Sequence, residues 1–166
     1  MKKLLIIPAI VGLLTTSVFA KAINKDDESR ISYSVVNQFK SDFRDAKDIT
    51  WTITDNTQKA EFTVNGVRKT AFYNMSGEFM GTTQRIAYTS VSESAKKTIA
   101  AKYKGYTVGD VIQLSTNDSV QLFVDLHNAK EEILVRVSPT SSVSFFQQVL
   151  VRVSPTSSVS FFQQVK

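Results

Sequence analysis

None of the 166 residues is a cysteine, which rules out thiol catalysis, thiolate metal sites and disulfide staples and leaves the core alone to hold the fold. The formal charge is +5, but setting aside Lys2 and Lys3 of a leader segment leaves 18 basic against 15 acidic side chains, or +3. That is ordinary solubility charge, not a nucleic-acid footprint.

Met1 to Ala20 has the three parts of a secretory signal peptide: Lys2 and Lys3, an apolar core from Leu4 to Leu14, and Val18-Phe19-Ala20 as a small-residue cleavage site. The apolar run is shorter than the about 20 residues a membrane span needs, so cleavage is preferred to anchoring. No cysteine follows, which excludes lipid attachment of the bacterial lipoprotein type. A periplasmic or secreted protein is expected, with Lys21 to Glu28 as a charged lead-in.

From about Ser29 to Arg44, Ile31, Val35, Phe39 and Phe43 recur on one stripe, which predicts a helix. Strands are predicted over Ile49 to Thr54, Lys59 to Val64, Val67 to Asn74 and Glu78 to Ala87. Asn65-Gly66 between Val64 and Val67 signals a type I′ hairpin, because both central residues of that turn need φ > 0. Trp51 and Ile53 point one way and Thr50, Thr52 and Thr54 the other, while Phe62 and Val64 alternate against Glu61 and Thr63. Trp51 is read as core rather than ligand anchor, since large aromatics opposite a helix dominate core burial.

Ser90-Val-Ser-Glu93 predicts a capping box for a second helix, with Val91, Ala95, Ile99 and Tyr103 as its stripe and Gly105 as its stop. Strands resume at Val108 to Leu114, Val120 to Leu126, Glu132 to Val137 and Val143 to Gln148. The second half repeats the plan of the first at an offset near 60, so that Trp51 aligns with Val111, Phe62 with Leu122 and Val64 with Val124. The expected fold class is α+β: two tandem helix-plus-four-stranded antiparallel meander units, about 29–88 and 89–149, forming one sheet with the helices on one face. A different repeat closes the chain. Leu134 to Val149 reads LVRVSPTSSVSFFQQV, Leu150 to Val165 repeats it without a change, and Lys166 follows. A perfect copy indicates recent duplication of the coding segment or an error in its assembly, and the second copy is expected to be surplus to the fold.

The order Phe39-x3-Phe43-x2-Ala46, Trp51, Ala60-Glu61-Phe62, Asn65-Gly66, Ala71-Phe72-Tyr73 and Gly77-Glu78-Phe79 resembles the PepSY-like, β-lactamase-inhibitor-like (BLIP-like) domains of exported bacterial proteins. The resemblance covers about Ser29 to Val149 and implies a repeated helix-plus-four-strand unit. Its motifs are packing and turn motifs, so it implies a fold and not an inhibitory activity.

Covalent chemistry has little to work with. His127, the one histidine, lies beside Asp125 and near Glu131 and Glu132, but a single imidazole with unorganised carboxylates is far from a ligand set, and it is read as a solvated turn residue. No serine sits in a nucleophile elbow, and Ser94-Ala95-Lys96-Lys97 is discounted as a Ser–Lys dyad. The six glycines are scattered at turns, with no phosphate loop. No enzyme activity, cofactor or metal is expected.

The sheet face away from the helices is the candidate site. Thr52, Glu61, Arg68 and Phe72 fall on it from one half, and Phe123 and Arg136 from the other, alongside Thr63, Thr70, Gln121 and Asp125. Arg and aromatic residues are enriched at interface hot spots, although an open antiparallel sheet always shows water a polar face. The expected function is therefore non-enzymatic binding of an envelope protein or peptide, with no nucleic acid and no membrane span after signal cleavage. The alternatives are a small-ligand or ion sensor of the cell envelope and an envelope structural protein.

Overall fold

The computed structural model describes residues 30–153 and 159–162, with side chains through residue 148. The expected signal peptide and lead-in lie outside the described residues, as do 154–158 and 163–166 of the second tail copy. The element order is α1 (Tyr33–Asp42), β1 (Lys47–Ile53), β2 (Thr57–Val64), β3 (Val67–Asn74), β4 (Phe79–Ile86), a 3₁₀ turn (Tyr88–Ser90), α2 (Glu93–Lys102), β5 (Thr107–Ser115), β6 (Val120–His127), β7 (Glu132–Val137), β8 (Val143–Val153) and β9 (Val159–Phe162). The strand pairs described below are antiparallel and the fold is α+β. The chain divides into two compact units, residues 30–84 with 115–117, and residues 85–114 with those from 118 on.

In the first unit the Ser32 hydroxyl caps α1 by accepting a hydrogen bond from the Val35 amide at 3.4 Å, which satisfies one of the donors a helix start leaves orphaned. Val35 and Phe39 are fully buried on the stripe the spacing predicted. With Ile31 they meet Trp51, Ala60, Phe62, Ala71 and Tyr73 on one face of the strands. The Phe39 ring stands edge-on to Phe62 at 4.9 Å and to Trp51 at 5.2 Å, the geometry aromatic quadrupoles favour. Trp51 is thus core, as read. β2 and β3 pair without a slip from Thr57↔Asn74 to Val64↔Val67. Asn65 at φ 51° and Gly66 at φ 77° make the turn that the Asn-Gly pair foretold.

In the second unit the cap of α2 departs from expectation. Ser92, not Ser90, accepts the hydrogen bond, from the Ala95 amide at 3.3 Å. Ser90 ends the 3₁₀ turn, its own amide donating to the Ala87 carbonyl, so it is not free to open the helix. Glu93 is instead the first helical residue, where its charge suits the helix dipole, and it pairs with Lys96 at 2.8 Å. Val91, Ala95 and Ile99 pack against Val111, Val124, Leu126, Ile133, Val135, Val137 and Val143.

The tail copy expected to be surplus forms strand. Leu150 to Val153 continues β8, and β9 pairs back on it through Val153↔Val159, Arg152↔Ser160, Val151↔Phe161 and Leu150↔Phe162. The first copy makes the equivalent pairs Val137↔Val143, Arg136↔Ser144 and Val135↔Phe145, then shifts register so that Leu134 meets Gln147. Among the described pairs, one sequence gives a bulge in one place and none in the other. The bulge is therefore set by the neighbours of the first copy, not by its residues.

Replacing Phe62 by Ala removes a ring that is 1 % exposed and touches Phe39 and Phe43, and should cost about 3–5 kcal/mol in urea unfolding, transfer and cavity contributions together. Tyr73→Phe should behave oppositely. The Tyr73 hydroxyl is buried without a hydrogen-bond partner, and burial pushes its ionisation well above the usual phenol range. Removing it should leave stability unchanged or raise it by up to about 1 kcal/mol in the same measurement, because an unpaired buried polar group is lost.

Candidate functional site

In the first unit the residues alternating with the core build an ordered face. Thr52 lies opposite Lys59, Lys59 opposite Phe72, and Phe72 opposite Gly81, while Thr50, Glu61, Thr70 and Thr83 form the neighbouring row. Glu61 is the centre of charge. Its Oε1 accepts from Lys59 Nζ at 3.0 Å and its Oε2 from an Arg68 guanidinium nitrogen at 2.8 Å. Partial burial pushes the Glu61 carboxyl up, but the hydrogen bonds from Arg68 and Lys59 outweigh it and hold the group below its usual range. The Arg68 side chain is 77 % exposed, so its guanidinium is anchored at one edge and open to a partner at the other.

In the second unit Phe123 and Arg136 are direct cross-strand neighbours, and the Phe146 ring stands edge-on to Phe123 at 5.0 Å. Arg136 is half-buried. Thr52, Glu61, Arg68 and Phe72 therefore share one face of their unit, and Phe123 and Arg136 share one face of theirs.

Exposure is where two of these residues depart from expectation. Phe72 is 3 % exposed and Phe123 is fully buried, so neither is a side chain that a partner reaches directly. Alternation placed both away from the helix side, and neither belongs to a helix-side core. What alternation could not show is that Ile112, Leu114 and Leu134 of the second unit are also buried outside that core, giving its strands an apolar layer on both faces. A signal was present: Ala71-Phe72-Tyr73, Leu122-Phe123-Val124 and Ile133-Leu134-Val135 are continuous apolar runs, the pattern of strands covered on both sides.

His127 departs too. It is the last residue of β6, not a turn residue, and pairs across the ladder with Glu132, with its Nδ1 3.7 Å from Asp125 Oδ2. Ser94 and Lys97 stand at Ser-x-x-Lys spacing on α2, and both are solvent-exposed. Glu131 is engaged by the Tyr106 hydroxyl and the Gln148 amide. Among the described residues no group of three or more His, Asp or Glu is placed to hold a metal ion.

No family model matches the chain, and no curated protein matches it. Solved structures do resemble it. A DUF2874 family protein from Bacteroides uniformis superposes with a TM-score of 0.62 at 16 % identity, over 68 % of this chain and 86 % of its own. A Bacteroides eggerthii protein provisionally described as periplasmic gives 0.64 at 15 %, over 72 % and 89 %. A BLIP-like protein from Bacteroides fragilis gives 0.61 at 14 %, over 85 % of this chain and all (100 %) of its own. The likeness is one of fold, and it includes the BLIP-like fold.

The Glu61 bracket carries a pH signature. A carboxyl held low contributes stability above the ordinary glutamate value of 4.5 and loses it as pH falls through the lowered value. Glu61→Gln should therefore lower the melting temperature at neutral pH and remove part of the acid-side decline, seen by comparing wild-type and variant melts across that range.

Proposed function

We propose that the protein is an exported, non-enzymatic binding module of the bacterial envelope, built from tandem PepSY-like or BLIP-like units and directed at a protein or peptide partner. The observation that carries the reading is the Lys59–Glu61–Arg68 bracket: three charged side chains fixed relative to one another on a strand face, with the Arg68 guanidinium presented outward. A pre-ordered arginine loses less freedom on binding than a free one and suits a carboxylate or backbone carbonyl of a partner. Phe72 and Phe123 take a different role from the one their residue types suggested, as the apolar floor under the polar side chains rather than as contact residues. The structural neighbours support the setting, one being provisionally described as periplasmic and another as BLIP-like.

The test is affinity capture from an envelope extract by the protein lacking residues 1–20, followed by binding measurements on whatever is retained. Arg68→Ala and Arg136→Ala should each weaken binding by about tenfold or more, as truncation of an interface arginine does, with Arg136→Ala melting close to wild type and Arg68→Ala melting no lower than Glu61→Gln, which loses the same contact. Undiminished binding in both variants would move the site to the loops or an edge strand, and retention of nothing by the wild type would sink the reading.

A further inference from the structure

Asp125 and His127 are alternate residues of β6, and Glu132 of β7 lies directly across from His127, so the three side chains share one face of the β6–β7 hairpin. Asp125 leans over β5 at Gly109, where a Cβ would stand 2.1 Å from Asp125 Oδ2 and 3.3 Å from His127 Nδ1. Only glycine leaves that space, and the carboxyl uses it. The other oxygen, Asp125 Oδ1, is buried and receives no hydrogen bond from an N–H or hydroxyl group. The Glu132 carboxyl stands diagonally across the ladder from Asp125, on the same face and within hydrogen-bonding reach of it. Two ionised carboxylates have no proton to place between them and repel each other, whereas one proton on either converts repulsion into a hydrogen bond.

We propose that Asp125 and Glu132 form a proton-sharing pair that fastens β6 to β7 in acid and loosens as the proton leaves. Glu132 is the donor, because the bond between the two favours the ionised form of Asp125 and the neutral form of Glu132. The other charged groups around the pair are Asp110 on β5, which acts against ionisation of Asp125, and Arg85 on β4, which holds Asp110 at 2.9 Å. Glu131 is occupied by Tyr106 and Gln148. Burial pushes both carboxyls of the pair up, and the Asp125 charge and hydrogen bond push Glu132 further, while His127 opposes both shifts. The sign follows. Groups raised in the folded state stabilise it fully below their ordinary values of 3.8 and 4.5, and that stabilisation is lost as pH rises through the raised values. The device is independent of any partner and so of the binding reading.

Melting of the full chain from about pH 8 down to about pH 3.5, past the ordinary carboxyl values, tests it. The Glu132→Gln side chain donates an N–H to Asp125 at every pH, so this variant should melt above wild type at the alkaline end, with the two curves converging towards the acid end. Parallel curves would overturn the proposal. If the variant fails to fold, carboxyl carbon resonances of the wild type decide: titration of the pair above the ordinary carboxyl range supports it, and ordinary midpoints for both groups overturn it. His127→Gln should move those midpoints higher still, and a shift downward would likewise count against the pair.

Discussion

Without cysteine, each unit depends on one contact: the apolar stripe of its helix pressed against one face of its strands. In the first unit that contact is built on Phe39, whose ring meets Phe43, Trp51 and Phe62 within 5.2 Å. The helix presents so few buried residues, Val35 and Phe39, that the aromatic strand side chains must supply most of the buried area. α2 likewise buries only Ala95 and Ile99 along its length, and there β-branched residues of the strands do the equivalent work. Neither short helix would persist alone, since isolated helices below about 12–15 residues are marginal in water.

That contact fixes the rest through the period of the strand. Once Trp51, Phe62 and Tyr73 are turned to the helix, Glu61, Arg68 and Phe72 have to face away from it, and a register slip of one residue would invert both sets. The Asn65-Gly66 turn prevents such a slip, because its two left-handed residues hold Val64 opposite Val67. The charged bracket on the far face therefore inherits its geometry from a turn and a core it does not touch.

The two carboxyl environments illustrate how much the neighbours matter. Glu61 and Glu132 are both half-buried strand residues, yet they move in opposite directions. Glu61 has two cations within hydrogen-bonding distance, whose pull exceeds the cost of burial. Glu132 has another carboxyl in that place, so burial and like charge act together. Acid removes support from the first unit's face and adds it to the second unit's hairpin.

The chain's own residues determined the element order, both helix stripes, the Asn-Gly turn and the assignment of residues to faces, since periods of 3.6 and 2 and a turn needing positive φ are local properties. Thr52, Glu61, Arg68, Phe72, Phe123 and Arg136 all fall on the predicted side for that reason. Tertiary structure decided the rest. Whether a face is covered depends on what packs there, so Phe72 and Phe123 are buried instead of open to contact. Which serine caps α2 depended on the 3₁₀ turn that occupies Ser90. The Asp125–His127–Glu132 grouping needed the β6–β7 register and the vacancy at Gly109, neither of which is written in the spacing of those residues. Identical copies of one sixteen-residue sequence, paired with a bulge in one place and without it in the other, show the same division: sequence sets which residues can pair, and the surrounding strands set how.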